Sequence, residues 1–314
     1  MIVVAPATAN IIAKMASGIA DDLISTTLLA TPRPIVIAPA MNNGMWKAPA
    51  TQANMATLRD RGVHVVGPGS GYLACGDVDT GRMSEPEDIV EVVCEVLNPA
   101  PQDLAGKRIV ITAGPTHEPI DPVRFIGNRS SGKMGIALAR EAARRGAAVT
   151  LVLGPTSLDV PRGVECVRVQ TAAEMLQTAL SAFQTADAAI CAAAVADYTP
   201  AAPADHKLKK TNERLDRIEL VETVDILAEL SRQKEERCVI GFAAETDNVV
   251  EYAQRKLARK GCDAIIANDV SRADSGFGTD TNKAWIVSTA GTQELPVLTK
   301  PQLADTILDL LQNL

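Results

Sequence analysis

Residues 127–134, GNRSSGKM, come within one side chain of a phosphate-binding signature. Gly127, Gly132 and Lys133 meet the G-x-x-x-x-G-K spacing, but the next position, where a hydroxyl should sit on Mg²⁺, is Met134. A glycine-rich turn that opens a helix still offers unpaired backbone N–H groups and the positive end of the helix dipole to an anion. A plain helix N-terminus capped by Ser130 or Ser131 accounts for the same residues. Two lysine groups bear on the choice. Lys207, Lys209 and Lys210 form a short basic run, H-K-L-K-K, and on an extended strand Lys207 and Lys209 share one face. Lys256 and Lys260 stand four residues apart, on one face of a helix. Each group alone reads as a solvated surface, whereas two of them near a candidate anion site point to a polyphosphate ligand.

The elements that must position these residues alternate along the chain. The apolar runs IVVAPA, PIVIAPA and VHVVGP are separated by the helical stretches IIAKMASGIADDLISTTLLA and TQANMATLRDRG. A glycine-rich segment, GPGSGYLACGDVDTGRM, precedes the helix EPEDIVEVVCEVL. NPAPQDLAG, with Pro99 and Pro101, then reads as a linker, which places a first domain at 1–97, the linker at 98–106 and a second domain at 107–314. The second series runs KRIVITAG, the helix GKMGIALAREAARRG, AAVTLVLG, VECVRVQ, the helix TAAEMLQTALSAF and the strand ADAAICAAAVA. CVIGFAAET, NVVEYAQRKLARKG and DAIIANDV repeat the pattern, and KPQLADTILDLLQNL closes it as a helix. Such alternation predicts an α/β fold with two doubly wound, mostly parallel-sheet, Rossmann-like domains. Ligands in these folds bind at the carboxyl ends of the strands, where Gly114-Pro115-Thr116, Ala196-Asp197-Tyr198 and Ala267-Asn268-Asp269 lie. A working P-loop follows its strand directly, but thirteen residues separate Gly114 from Asn128, which with Met134 counts against a Walker-type loop.

Composition narrows the function classes. A net charge of −7 excludes a broad nucleic-acid footprint. No apolar run approaches the ~20 residues that span a bilayer. The N-terminus has no basic signal-peptide region, so the chain reads as cytoplasmic. The six cysteines form no C-x-x-C pair and no metal-ligand cluster with the three histidines, so no metal ligands are identified. No G-x-G-x-x-G follows an early strand, against a dinucleotide-dependent dehydrogenase.

ITAGPTHEPIDPVRFIGNRSSGKMG, AAAVADY, KLKK, GFAAET and AND together resemble the phosphopantothenate–cysteine ligases of coenzyme A biosynthesis. APATAN, PAMNNGMW and SGYLACGDVDTGRM resemble the flavin-dependent phosphopantothenoylcysteine decarboxylases. In this order they are similar to the bacterial bifunctional family over nearly the whole chain, and GNRSSGKM is then similar to the ligase's phosphate-contacting loop. The resemblance implies the substrates 4′-phosphopantothenate, cysteine and CTP, with Mg²⁺, joined through an acyl-cytidylate. It makes Lys207 the lysine of acyl-cytidylate formation and Asn128 the residue that turns this intermediate over with cysteine. Arg124, Ala193 and Asp197, with Asn128, would hold the acyl intermediate. Cys191, Ala192, Ala193, Asp197 and Lys207 would meet the nucleotide. Val224, Asp225, Ile226, Leu227, Phe242, Lys256 and Lys260 would complete its pocket.

For the decarboxylase the resemblance implies FMN, contacted by Thr8 and Asn10, with Asn42 on the substrate carboxylate and Cys75 as a proton donor. An ordinary thiol, with pKa about 8.5, is mostly protonated at pH 7 and suits an acid role. The family's segment preceding APATAN, with its catalytic histidine, has no counterpart here, and neither His64, His117 nor His206 stands in its place. Residues 1–97 are therefore expected to form a partial decarboxylase domain that binds FMN poorly and lacks the second activity. An assembly module serving the ligase is the alternative for this region, and a nucleotide-binding regulator without turnover is the alternative for the whole chain. The family further implies a homodimer through the ligase domain, with higher oligomers through the decarboxylase domain.

Overall fold

The computed structural model describes residues 1–72, 78–209, 217–276 and 278–313, in two compact units, Met1–Ala100 and Pro101–Leu314. The first unit runs β1 (Ile2–Ala7), α1 (Ala9–Ser17), α2 (Leu23–Ala30), β2 (Ile35–Pro39), α3 (Asn43–Lys47), α4 (Pro49–Asp60), β3 (His64–Val65), β4 (Gly69–Tyr72), β5 (Val78–Arg82) and α5 (Pro86–Leu97). Strands β1, β2 and β3 form a parallel sheet in that order, and Ile12, Ile37, Met55 and Leu58 pack beneath it without solvent exposure or nearly so. The single helix expected from IIAKMASGIADDLISTTLLA is two helices. Gly18 takes φ 71° and ends α1 in the left-handed conformation that favours glycine. Asp22 and Ser25 then start α2 with a reciprocal capping box. Strands β4 and β5 pair as an antiparallel hairpin.

The second unit contains β6 (Arg108–Ala113), β7 (His117–Pro119), β8 (Phe125–Gly127), α6 (Lys133–Arg144), β9 (Ala148–Leu153), β10 (Glu165–Arg168), α7 (Ala172–Phe183), β11 (Ala188–Cys191), β12 (Tyr198–Pro200), β13 (Leu220–Glu222), α8 (Ile226–Arg232), β14 (Cys238–Glu245), α9 (Val249–Lys260), β15 (Ala264–Asp269), β16 (Thr281–Ser288), β17 (Gly291–Thr299) and α10 (Lys300–Asn313). Eight of these strands make one sheet, ordered β10-β9-β6-β11-β14-β15-β16-β17. The first six are parallel and the last two antiparallel. Because successive strand residues face opposite sides, Ile109 and Ile111 join α6 and α10 in one core while Val110, between them, joins α7, α8 and α9 in the other. The fold is thus doubly wound, as the alternation predicts. The alternation does not predict the antiparallel pair β16–β17. The expected strand ADAAICAAAVA is cut short at Cys191, because its neighbour β6 turns away at Gly114, φ 79°, and the chain follows it. Ala192 N donates to Thr112 O and Ala194 N to Gly114 O, so residues 192–197 become a loop at the carboxyl edge of the sheet.

Candidate nucleotide and acyl-substrate site

A cavity of about 940 Å³ opens at the carboxyl ends of β6, β11, β14 and β15, large enough for a nucleotide and a second small molecule. One wall is the turn into α6. Gly132 adopts φ 80° at the helix N-cap with no side-chain cap. Ser130 and Ser131 accept long bonds from Gly132 N at 3.3 Å and Lys133 N at 3.4 Å, but the N-cap itself is Gly132, so the serine-cap reading does not describe this turn. The helix seats deeply because Gly135 has no side chain: a Cβ there would lie 2.3 Å from Ala113 Cβ. Asn128 crosses from the end of β8 and donates through Nδ2 to Val195 O at 2.8 Å, joining the turn to the 192–197 loop. That loop is held from below by threonines. Thr112 Oγ1 accepts from Ala193 N at 3.4 Å, Thr116 Oγ1 accepts from Ala196 N at 3.0 Å, and Thr223 Oγ1 donates to Ala196 O at 2.6 Å.

The opposite wall is α8 and α9. Asp225 caps α8 by accepting from Ala228 N at 2.9 Å, and its other oxygen binds the Lys260 ammonium. Burial opposes its charge, yet the Lys260 ammonium and the Ala228 N–H hold the Asp225 carboxyl below the usual carboxylate range. Lys256 donates to Phe242 O at 2.8 Å, and burial, aided by the Lys260 charge, lowers its pKa. Desolvation pushes the Cys191 thiol up to about 12, which favours its neutral form. Leu227 packs against β14 where Gly241 leaves room; a Cβ at Gly241 would lie 2.5 Å from Leu227 Cδ2.

Asn128, Cys191, Ala192, Ala193, Asp197, Val224, Asp225, Ile226, Leu227, Phe242, Lys256 and Lys260 all line this one cavity. Lys207 and Arg124 do not line it. Lys207 is exposed on a coil segment rather than on the strand expected there. Asp121 anchors that segment: it accepts from Leu208 N at 3.2 Å and pairs with Arg124, which itself donates to Leu208 O at 2.9 Å. The Arg124 guanidinium holds the Asp121 carboxyl well below the usual range. Lys210 lies outside the described residues. Sequence reasoning missed Asn282 and Lys300, which also line the cavity. No local pattern marks either one.

In the first unit, Thr8 and Asn42 follow adjacent parallel strands, and Ala40 N donates to Ala7 O at 3.0 Å between the two loops. Thr8 caps α1, Asn10 is exposed on its first turn, and Asn42 Oδ1 accepts from Gly44 N at 2.7 Å. The hairpin β4–β5 docks on this edge through Asp79, bound by Asn43 Nδ2 at 2.6 Å and Lys47 at 2.7 Å. Asn43 Oδ1 is buried without a hydrogen-bond partner, an acceptor that a ligand donor would satisfy. Cys75 lies outside the described residues. Among the described residues no group of three or more His, Cys, Asp or Glu side chains is placed to hold a metal ion. No helix among them is long and apolar enough to cross a membrane.

Comparison with known proteins follows the same division. Residues 104–314 match the family described as DNA/pantothenate metabolism flavoprotein C-terminal domain, and residues 1–98 match the flavoprotein family. The chain is 49% identical over 311 residues to the coenzyme A biosynthesis bifunctional protein CoaBC of Bacillus subtilis (strain 168), covering 98% of this chain and 76% of that protein. It is 47% identical to its namesake in Escherichia coli (strain K12), covering 98% of this chain and 77% of the other. A crystal structure of the C-terminal domain of a coenzyme A biosynthesis bifunctional protein superposes with TM-score 0.58 at 45% identity, covering 68% of this chain and 97% of that one.

Proposed function

Because the chain belongs to the family of bifunctional coenzyme A biosynthesis enzymes, which combine ligase and decarboxylase activities, we propose that residues 107–314 carry a CTP-dependent phosphopantothenate–cysteine ligase. A carboxylate is a poor acyl donor. In this reading the 4′-phosphopantothenate carboxylate attacks the α-phosphorus of CTP, pyrophosphate leaves, and the cysteine amine then displaces CMP from the acyl-cytidylate. The observation that carries it is the cavity, with a helix-opening turn on one wall and the Lys256–Lys260 pair on the other. The pair, with Asp225 to Leu227 and Phe242, suits the nucleotide. Asn128, bridging the α6 turn to Val195, stands where an amide can orient the acyl intermediate and stabilise charge on its tetrahedral carbon. Lys207 serves the pentavalent phosphorus, which requires the segment anchored by Asp121 and Arg124 to meet the triphosphate. Mg²⁺ commonly binds through one or two carboxylates plus substrate phosphates. Asp197 is a carboxylate in the cavity wall suited to that part. Exposed apolar residues on the small hairpins, among them Phe125, Leu220 and Val221, support a homodimer through this unit.

Residues 1–97 are read as the decarboxylase domain. The exposed Thr8 and Asn10, with the orphaned Asn43 Oδ1 nearby, fit a heteroatom-rich cofactor such as FMN, and Asn42 fits the substrate carboxylate. FMN, when bound, supplies the oxidising chemistry; the chain's own contribution is orientation by Asn42 and a proton from Cys75.

The test is product analysis by mass spectrometry after incubation with phosphopantothenate, cysteine, CTP and Mg²⁺. Phosphopantothenoylcysteine and CMP in equal amounts are expected. CMP without the amide product would refute the ligase assignment and indicate a nucleotidase.

A further inference from the structure

Lys300 opens α10 and is only 5% exposed, yet it lines the cavity. Lysine is almost never buried without a carboxylate partner. Here the three N–H donors of the ammonium go to neutral acceptors: Gly276 O at 3.1 Å, Thr279 O, and Asn282 Oδ1 at 3.0 Å. The nearby Asp280 carboxylate is taken by Lys133, at 2.7 Å, and Lys133 also donates to Gly278 O at 3.1 Å. Two lysines, one from each of α6 and α10, therefore grip the same turn between β15 and β16. The Lys300 backbone N–H adds a third hold, on Asp280 O at 3.0 Å. Asn282 is itself 3% exposed and lines the cavity. With Oδ1 engaged by the ammonium, its amide keeps the Nδ2 donor to offer a ligand.

A methionine in this place would fill the same volume without desolvating a charge. A retained cation against neutral acceptors is balanced when an anion enters the space beside it. We propose that Lys300 is a positioning residue for the ligase reaction: its buried ammonium fixes Gly276, Thr279 and the donor face of Asn282 against a phosphoryl group of the substrates. The inference rests on the ligase reading and extends it to the wall opposite the nucleotide lysines. The phosphoryl group can belong to CTP or to phosphopantothenate, and the two are separable by experiment.

The charged groups that face Lys300 are Lys133 from α6 and Asp280 from the turn. Burial, reinforced by the Lys133 charge and opposed by Asp280, lowers its pKa to about 8. A neutral amine has two donors instead of three, so the grip loosens within the range of an ordinary assay.

The experiment follows steady-state pyrophosphate release at saturating cysteine, from pH 6.5 to 9.5, varying CTP and phosphopantothenate separately. In the wild-type protein the KM of one substrate should stay level to about pH 8 and then rise by up to tenfold per unit. The substrate that shows this limb identifies the phosphoryl group. Lys300→Arg, whose charge persists throughout, should lose the limb. Lys300→Met should raise the same KM about tenfold or more at pH 7 and change kcat less, whatever the loss of its three hydrogen bonds does to the thermal midpoint. Should Lys300→Met not fold, Asn282→Ala should raise the same KM, and the wild-type and Lys300→Arg profiles still decide. A Lys300→Met protein with lowered thermal midpoint but wild-type KM values, or a limb unchanged in Lys300→Arg, overturns the inference and leaves Lys300 a packing residue. Absence of wild-type turnover overturns the ligase reading and this inference together, whereas normal wild-type turnover with unaffected variants overturns this one alone.

Discussion

Two lysine groups that look alike in the sequence occupy opposite settings in the fold. Lys256 and Lys260 project from α9 into the cavity and already have partners, Phe242 O and the Asp225 carboxylate. Lys207 is exposed on a coil segment outside the cavity lining, held beside it at Leu208 by Asp121 and Arg124. The difference separates two electrostatic tasks. Charges fixed before a ligand arrives meet substrate and transition state alike, and their removal mainly raises KM. A charge brought up during the reaction can be reserved for the transition state, and its removal lowers kcat. Charge count alone does not distinguish these roles; burial and partners do.

Lys207→Gln should break the comparison most sharply. Losing one donor aimed at a developing charge costs about 10²–10³ in rate, so pyrophosphate release should fall by that much with the KM for CTP nearly constant. Asn128→Asp should leave cytidylate formation intact while the acyl-cytidylate accumulates, detectable by mass spectrometry of quenched reactions. If both variants stall at the same step, the assignment of separate steps fails. Lys256→Met should produce the complementary phenotype, raising the KM for CTP by about 10–100-fold, the scale of a lost charge-assisted contact, with kcat within a few-fold. Calorimetry of the free protein sharpens this case. The folded state lowers the Lys256 pKa, so its charged form is disfavoured by folding, and that destabilisation is present below the lowered pKa and fades as pH rises toward the unfolded value. Lys256→Met should therefore be at least as heat-stable as wild type near pH 7.

A structural probe comes next in size. Gly135→Ala places a Cβ 2.3 Å from Ala113 Cβ and 3.0 Å from Ala113 Cα, neither of which is the end of a flexible chain. Denaturant titration should show a loss of about 1–3 kcal/mol. Because α6 must shift, substrate KM values should rise as well; a loss of stability with unchanged KM would remove the α6 turn from the site. Acid should do less. Asp225 titrates below the usual carboxylate range, so the stability and nucleotide contact it supports are present above that range and are lost only as pH falls through it. The KM for CTP should be flat from pH 7 to 5, and a rise beginning near 5 would contradict the Asp225–Lys260 pairing. The smallest effect is expected of Lys209→Gln, exposed like Lys207 but given no chemical part: less than about threefold on either kinetic constant, as for an ordinary surface charge.

The alternation of strands and helices was legible because 2- and 3.6-residue periodicities leave their mark in any single segment. The break at Gly18 was less so, since apolar residues continue across it and only the left-handed φ ends α1. The sheet edge β16–β17 escaped reading because it carries a mixed pattern, with Lys283 reaching Glu294 across the pair at 2.6 Å. Within the site, the spacing of Lys256 and Lys260 was readable as one helix face, and both line the cavity. Lys207 and Lys209 were expected on one strand face, and the segment is coil instead. Lys300 could not be found from sequence: its partners Gly276 and Asn282 lie 24 and 18 residues away, and only the tertiary turn brings them to it.

The most direct test of the central claim is pyrophosphate release in the absence of cysteine, with CTP or ATP, each with and without phosphopantothenate. A working first half-reaction gives a burst with CTP that requires phosphopantothenate and approaches one equivalent per functioning site. Equal or faster release from ATP would contradict the CTP assignment, and release from CTP without phosphopantothenate would contradict the acyl-activation mechanism itself.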